Sequence, residues 1–270
     1  MLTRKIPRTG EALPVIGMGT WQTFDVPAKQ RAALVPVLNG LLAAGGRVID
    51  SSPMYGDAEE ATGDVIARAG AAGKPFLATK VWTSGAEVGA REMTRSLQRL
   101  RVEQLDLMQI HNLLDWETHL PVLREWKQAG KIRYIGITHY AQMAFEDLEH
   151  LMRTEQLDFV QLPYNVLDKE AEKRLLPTAA DTGTAVLVMR PFAEGALFRR
   201  VKGKPVPEWA AEIDCTSWAQ LLLKFIIGHA AVTCPIPATS NPRHMADNLL
   251  GGVGRIPDDA LRQKIVKAVG

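Results

Sequence analysis

The chain has 270 residues, 46% of them hydrophobic, enough for a buried core in one large domain or two small ones. Its 32 Lys and Arg against 30 Asp and Glu leave a formal charge of +2, which argues against a binder of nucleic acid or another polyanion. The two cysteines, Cys215 and Cys234, lie outside any CxxC or Cys/His cluster, so neither a disulfide framework nor a metal site is expected.

The opening segment, MLTRKIPRTGEAL, reads as a short β-hairpin turning at PRTGE, and it lacks the apolar run of a secretory signal. No later stretch approaches the roughly 20 apolar residues that cross a bilayer, so a cytoplasmic protein without membrane contact is expected. Strand-like runs follow at 13–19, 47–50, 75–80, 105–111, 133–138, 158–164, 185–190 and 231–237. They are nearly continuous in apolar residues, as strands covered on both faces tend to be. Helix-like segments such as AEEATGDVIARAGA and GAREMTRSLQRLR separate them, several ending in Gly. Eight strand–helix units without a Gly/Ser/Pro linker predict one α/β domain over 1–270, a (β/α)8 TIM barrel. A doubly wound open sheet is the rival, but GMGTWQ lacks the third glycine of its phosphate loop. The stretch 198–215 reads as an extra loop.

In such barrels the chemistry lies in loops at the carboxyl ends of the strands. That rule selects Asp50, Lys80 and His111, with Tyr55 in the polar loop that follows Asp50. Each has an ordinary reading: an Asp capping a turn, a Lys reaching solvent, a core His, a packed Tyr ring. Four such groups from three consecutive strand ends favour a site. A phenol of pKa about 10 is a poor proton donor at neutral pH, and a nearby ammonium is expected to lower it. A carboxylate keeps that lysine charged and in place, and a histidine orients a carbonyl oxygen. The group suits proton donation to a carbonyl becoming an alkoxide.

At these residues the sequence resembles the aldo-keto reductases. The segment 45–56, Gly-Gly-Arg-Val-Ile-Asp-Ser-Ser-Pro-Met-Tyr-Gly, resembles the family's Asp-Ser/Thr-Ala/Ser-x-x-Tyr-Gly segment. LATKVW resembles its lysine strand and DLMQIHN its histidine strand, and the likeness runs from LPVIGMGTW to IPATSNPRHMADNLLGG. The resemblance implies an NAD(P)H-dependent carbonyl reductase on a (β/α)8 barrel, a monomer acting on a small-molecule carbonyl substrate. It implies Tyr55 as the general acid, Lys80 and Asp50 tuning it, and His111 orienting the substrate. The carboxamide of the nicotinamide would be held by Thr138, His139 and Gln161, His139 standing where the family has Asn.

The resemblance also places Gly19, Thr20, Trp21 and Asp50 beside the cofactor. After the seventh strand, Met189 and Arg190 stand where the family has its stacking aromatic and a serine, followed by Pro191 and Phe192. Arg190 reads equally as a cofactor contact or as a rim salt bridge. Gly195 and Leu197 would offer backbone amides to the pyrophosphate. Pro237, Ala238, Thr239, Ser240, Arg243, Asp247 and Asn248 would meet the adenosine end, on a helix capped by Asn241 with Pro242 first. The resemblance implies NADPH as the cofactor, and because Ala238 stands where the family commonly has its Lys, weaker discrimination against NADH is expected, with NADH as a second cofactor. Trp21, Met54, Trp82, His111 and Asn112 would line the substrate side. The chain ends soon after GRIPDDALRQKIVKAVG, which predicts an open pocket and broad specificity. Two rivals stand beside this reading: a nucleotide-sensing subunit on the same scaffold, and a Schiff-base enzyme using Lys80, which gains nothing from a lysine held charged.

Overall fold

The computed structural model describes residues 1–270. The expected hairpin is present: β1 (Thr3–Lys5) pairs antiparallel with β2 (Ala12–Pro14), Arg4 opposite Leu13. Eight parallel strands follow: β3 (Met18–Gly19), β4 (Val48–Asp50), β5 (Phe76–Val81), β6 (Leu105–His111), β7 (Ile132–Thr138), β8 (Phe159–Pro163), β9 (Ala185–Met189) and β10 (Cys234–Pro235). Each pairs with its sequence neighbour, as a succession of right-handed strand–helix–strand crossovers requires. The helices between them are α1 (Val35–Ala43), α2 (Ala58–Arg68), α3 (Ala86–Leu100), α4 (Trp116–Gln128), α5 (Phe145–Thr154), α6 (Leu175–Thr182), α7 (Ala196–Arg200) and α8 (Trp218–Ile227), and α9 (Pro242–Leu250) and α10 (Asp259–Val269) follow the last strand. None of the chain's helices is long and apolar enough to cross a membrane.

The seam between β3 and β10 is where the expected strands shorten most. The run 13–19 splits, its first part joining the hairpin and only Met18–Gly19 the barrel. The run 231–237 shrinks to Cys234–Pro235, because Pro235 and Pro237 have no N–H to give a ladder. The gap is bridged the other way: Gly17 and Gly19 donate their amides to the carbonyls of Pro235 (3.0 Å) and Pro237 (3.4 Å). A β-carbon on Gly19 would lie 2.9 Å from the Ile236 carbonyl oxygen, so only glycine lets the seam close this tightly. The extra loop of 198–215 carries the end of a short helix, Ala196–Arg200, and a 3-10 turn at Glu208–Ile213.

Two cores flank the strands. The larger, 59 residues, fills the space between strands and helices. The smaller lies inside the barrel and gathers Val48, Phe76, Ala78, Leu107, Tyr134, Phe159, Leu187 and Cys234, with Ile6 and Leu13 of the hairpin as its plug. Residues two apart along a strand face the same way, so these side chains share a direction with the next inward positions: Asp50 after Val48, Lys80 after Ala78, Gln109 and His111 after Leu107, Gln161 after Phe159. The apolar runs therefore hide an alternation between barrel interior and helix layer, and the interior turns polar only at the carboxyl ends.

Candidate active site

The three residues singled out by their strand ends and Tyr55 from the loop after β4 converge. Asp50 and His111 close β4 and β6, and Lys80 is one residue from the end of β5, which continues to Val81. Lys80 Nζ donates to Asp50 Oδ2 and to the Ser51 carbonyl, each at 2.7 Å. It stands 5.1 Å from the centroid of the Tyr55 ring, and Tyr55 meets His111 edge to face with centroids 5.9 Å apart. Lys80 is fully buried and Asp50 is 2% exposed, so each charge depends on the other and on the donors around them.

Those donors come from two glutamines. Gln109 Nε2 and Gln161 Nε2 both reach Asp50 Oδ1 at 2.9 Å. An ionised carboxylate only accepts, so both amide groups must present their NH2 to it. Gln161 Oε1 then faces away, with only a long 3.4 Å contact from Thr138 Oγ1. Room for Gln109 comes from Gly136 on the next strand, where a β-carbon would stand 3.0 Å from Gln109 Cγ.

Burial works against the Lys80 ammonium, but Asp50 and Tyr55 outweigh it and hold its pKa above the ordinary lysine value. For Tyr55 the balance tips the other way from expectation. Burial pushes the phenol above its ordinary value, and Lys80 opposes the rise without reversing it. The expected net lowering of Tyr55 is therefore corrected: desolvation, which no spacing of residues reveals, is the largest effect. His111 is neutral, because burial, helped by Lys80 and His139, lowers its pKa to about 3.

A cavity of about 600 Å³ opens over these groups. Of the expected cofactor and substrate residues, its wall includes Gly19, Thr20, Trp21, Asp50, Met54, His111, Asn112, Gln161, Arg190, Pro191, Phe192, Gly195 and Ala238. Others stand apart from it. Thr138 is buried behind Gln161, and His139 Nδ1 accepts the Ala141 amide at 3.0 Å. Trp82 is on the rim, its ring 6.3 Å from that of His111. Leu197 is fully buried in the larger core, and its amide makes a long 3.4 Å contact with the Phe192 carbonyl. Pro237 is committed to the seam, and Thr239 Oγ1 accepts the Asn241 amide at 3.1 Å. The α9 cap forms as expected, Asn241 accepting the Arg243 amide at 2.9 Å, and the exposed Ser240 and Arg243 flank it. Asp247 accepts from Gln220 at 2.6 Å, and Asn248 is buried.

Sequence reasoning missed several residues of the site. Tyr140 lines the cavity, and the Arg190 guanidinium lies 4.8 Å over its ring while Arg190 Nε pairs with Glu194 at 3.1 Å. Arg190 thus forms the rim ion pair and faces the cavity at once. An aromatic is absent at position 189, where Met189 lines the wall, but one, Tyr140, enters from the loop after β7, two strands away. The only signal was an aromatic two residues past a strand end. Gln22, Thr23, Phe198 and Ile236 also contribute to the wall. Gln109 was hidden inside an apolar run.

The Aldo/keto reductase family model matches residues 15–260. Methylglyoxal reductase YeaE of Escherichia coli (strain K12) is 29% identical over 245 residues, covering 88% of this chain and 84% of that protein. The NADH-specific methylglyoxal reductase of the same strain is 28% identical, covering 76% of this chain and 72% of its own length. Among solved structures, the aldo-keto reductase from Klebsiella pneumoniae in complex with NADPH superposes with a TM-score of 0.79 at 26% identity, over 97% of this chain and 94% of that one. The thermostable aldo-keto reductase Tm1743 shares the fold at a TM-score of 0.81 and 24% identity, over 100% of both chains.

Proposed function

The chain belongs to the aldo-keto reductase family, and on that premise we propose that it reduces a small aldehyde or ketone to the alcohol with NAD(P)H, Tyr55 supplying the proton. The observation that carries this reading is the convergence of Tyr55, Asp50 and His111 on the wall of one cavity, with the buried Lys80 held against Asp50 and the Tyr55 ring. A nicotinamide held in this cavity would supply the hydride for the carbonyl carbon. Everything else falls to the protein. Tyr55 keeps its proton at neutral pH because burial raises its pKa, so the acid is loaded before the carbonyl arrives. When the proton passes to the carbonyl oxygen, the phenolate left behind faces the Lys80 ammonium, which Asp50 holds in place. Neutral His111 offers a ring nitrogen to the same oxygen.

The cavity fits a nicotinamide dinucleotide by the chemistry of its walls. Gln161, its NH2 committed to Asp50, has Oε1 to accept from a carboxamide. Trp21, Met189, Phe192 and Ile236 supply apolar surface for a ring. Arg243 is exposed in the first turn of α9 and makes no ion pair, which supports the reading that it meets a 2'-phosphate. NADPH is accordingly the proposed cofactor, with NADH accepted; the K. pneumoniae structure contains NADPH and one E. coli relative is NADH-specific.

The test is oxidation of NADPH and NADH against a panel of small aldehydes and ketones. Turnover with NADPH ahead of NADH is expected, the preference shrinking in Arg243→Ala. Tight cofactor binding without turnover of any carbonyl would overturn the reading in favour of a nucleotide sensor.

A further inference from the structure

Ser52 stands between Asp50 and Tyr55 in the chain, yet its side chain is turned away from the cavity. It is fully buried, and its Oγ lies 3.0 Å from His111 Nδ1 and accepts the Met54 amide at 3.2 Å. Its carbonyl accepts the Tyr55 amide at 3.0 Å, so one residue braces both the phenol-bearing turn and the imidazole.

The hydrogen-bond partners settle who donates. A serine hydroxyl has one proton to give. The Met54 amide is itself a donor and cannot receive it, which leaves His111 Nδ1 as the one acceptor in reach. Were Nδ1 protonated, the Ser52 hydroxyl proton would be stranded in a site sealed from solvent, a costly arrangement for a buried donor. Neutral imidazole carries one ring proton, and with Nδ1 accepting it must reside on Nε2. That nitrogen has no protein partner and is not sealed in the interior, while His111 lines the cavity.

We propose that Ser52 is a positioning residue whose hydroxyl donates to His111 Nδ1, fixing the tautomer that aims Nε2–H, a donor, at the substrate's carbonyl oxygen. The proposal rests on the reading of His111 as a substrate contact. It implies two converging donors, the Tyr55 hydroxyl and His111 Nε2–H, so that the site selects oxygen acceptors. The same serine ties the geometry of one donor to that of the other.

Long-range nitrogen–proton NMR of the imidazoles, with the His111 signals assigned by their loss in His111→Gln, tests this directly. The wild type is expected to show His111 as a single Nε2–H tautomer across neutral pH. Ser52→Ala should give a mixture of tautomers and lower kcat about five- to tenfold, as for one lost hydrogen bond, with KM for the cofactor unchanged. Ser52→Thr, which keeps the hydroxyl, should restore the single tautomer. An Nδ1–H tautomer in the wild type would overturn the proposal, whether or not the alanine variant folds. So would an alanine variant with unchanged His111 shifts. Because the spectra need no turnover, an enzyme with the expected tautomer and no carbonyl activity would contradict the proposed function and leave the role of Ser52 standing.

Discussion

At the amino end of the barrel, Phe76, Tyr134 and Phe159 pack ring against ring, their centroids 5.5 to 6.0 Å apart, beneath the hairpin residues Ile6 and Leu13. Further along the same strands sit Lys80, Thr138 and Gln161. The lower end is dry and apolar, edged by the ion pairs of Glu11 with Arg47 and Arg133. The upper end is charged, and its loops hold Gln22, Asn112, Leu113, Asp115, Arg190, Ala193 and Glu194 at positive φ, a strained conformation for non-glycine residues. The lower end is held by apolar packing and the upper end by buried charge, so substitutions at the two ends should fail differently.

The largest expected effect comes at the charged end. Lys80→Met leaves the Asp50 carboxylate buried beside two amides but without its cation. A loss of about 3–5 kcal/mol in denaturant unfolding is expected, together with loss of turnover. A variant of wild-type stability would show that the pair is not the electrostatic centre of the upper end. Phe76→Ala, at the lower end, is expected to cost about 3 kcal/mol through the cavity it leaves, while kcat of the folded fraction is unchanged. A large fall in kcat at full folding would break the division between the ends.

A smaller effect follows from pH. Burial lowers the pKa values of His111, His139 and His229, so the unfolded chain binds protons below pH 6.5 that the folded chain refuses. The folded-state value is the depressed one, hence stability is lost as pH falls from about 6.5, and for His111 the loss continues towards 3. For His111 alone the loss between pH 7 and pH 5 is about 2 kcal/mol. Urea unfolding at the two pH values measures it, and His111→Gln should shrink the difference.

Much of this molecule was legible in its sequence. Strand ends alone placed Asp50, Lys80 and His111 on one rim, because a parallel barrel puts every carboxyl end on the same side. The Asn241–Pro242 cap and the opening hairpin were readable for a similar reason: both are local, set by residues within a few positions. What escaped depends on distant neighbours. Ser52 reads as a turn residue until His111, 59 positions away, is found against its hydroxyl. Gln109 reads as one polar residue in an apolar strand until Asp50 appears across the barrel. The direction of the Tyr55 shift was misread because spacing shows that a lysine is near, but not how much water the fold removes. Tyr140 belongs to the same class, since its partner Arg190 arrives from another strand.

In the proposed reaction Tyr55 gives up the proton. Carbonyl-dependent NADPH oxidation by wild type and Tyr55→Phe tests it, alongside cofactor binding by fluorescence titration. Removal of the hydroxyl is expected to lower turnover by roughly 10² to 10⁴, with cofactor affinity and melting temperature held. Turnover that survives unchanged in Tyr55→Phe would contradict the account.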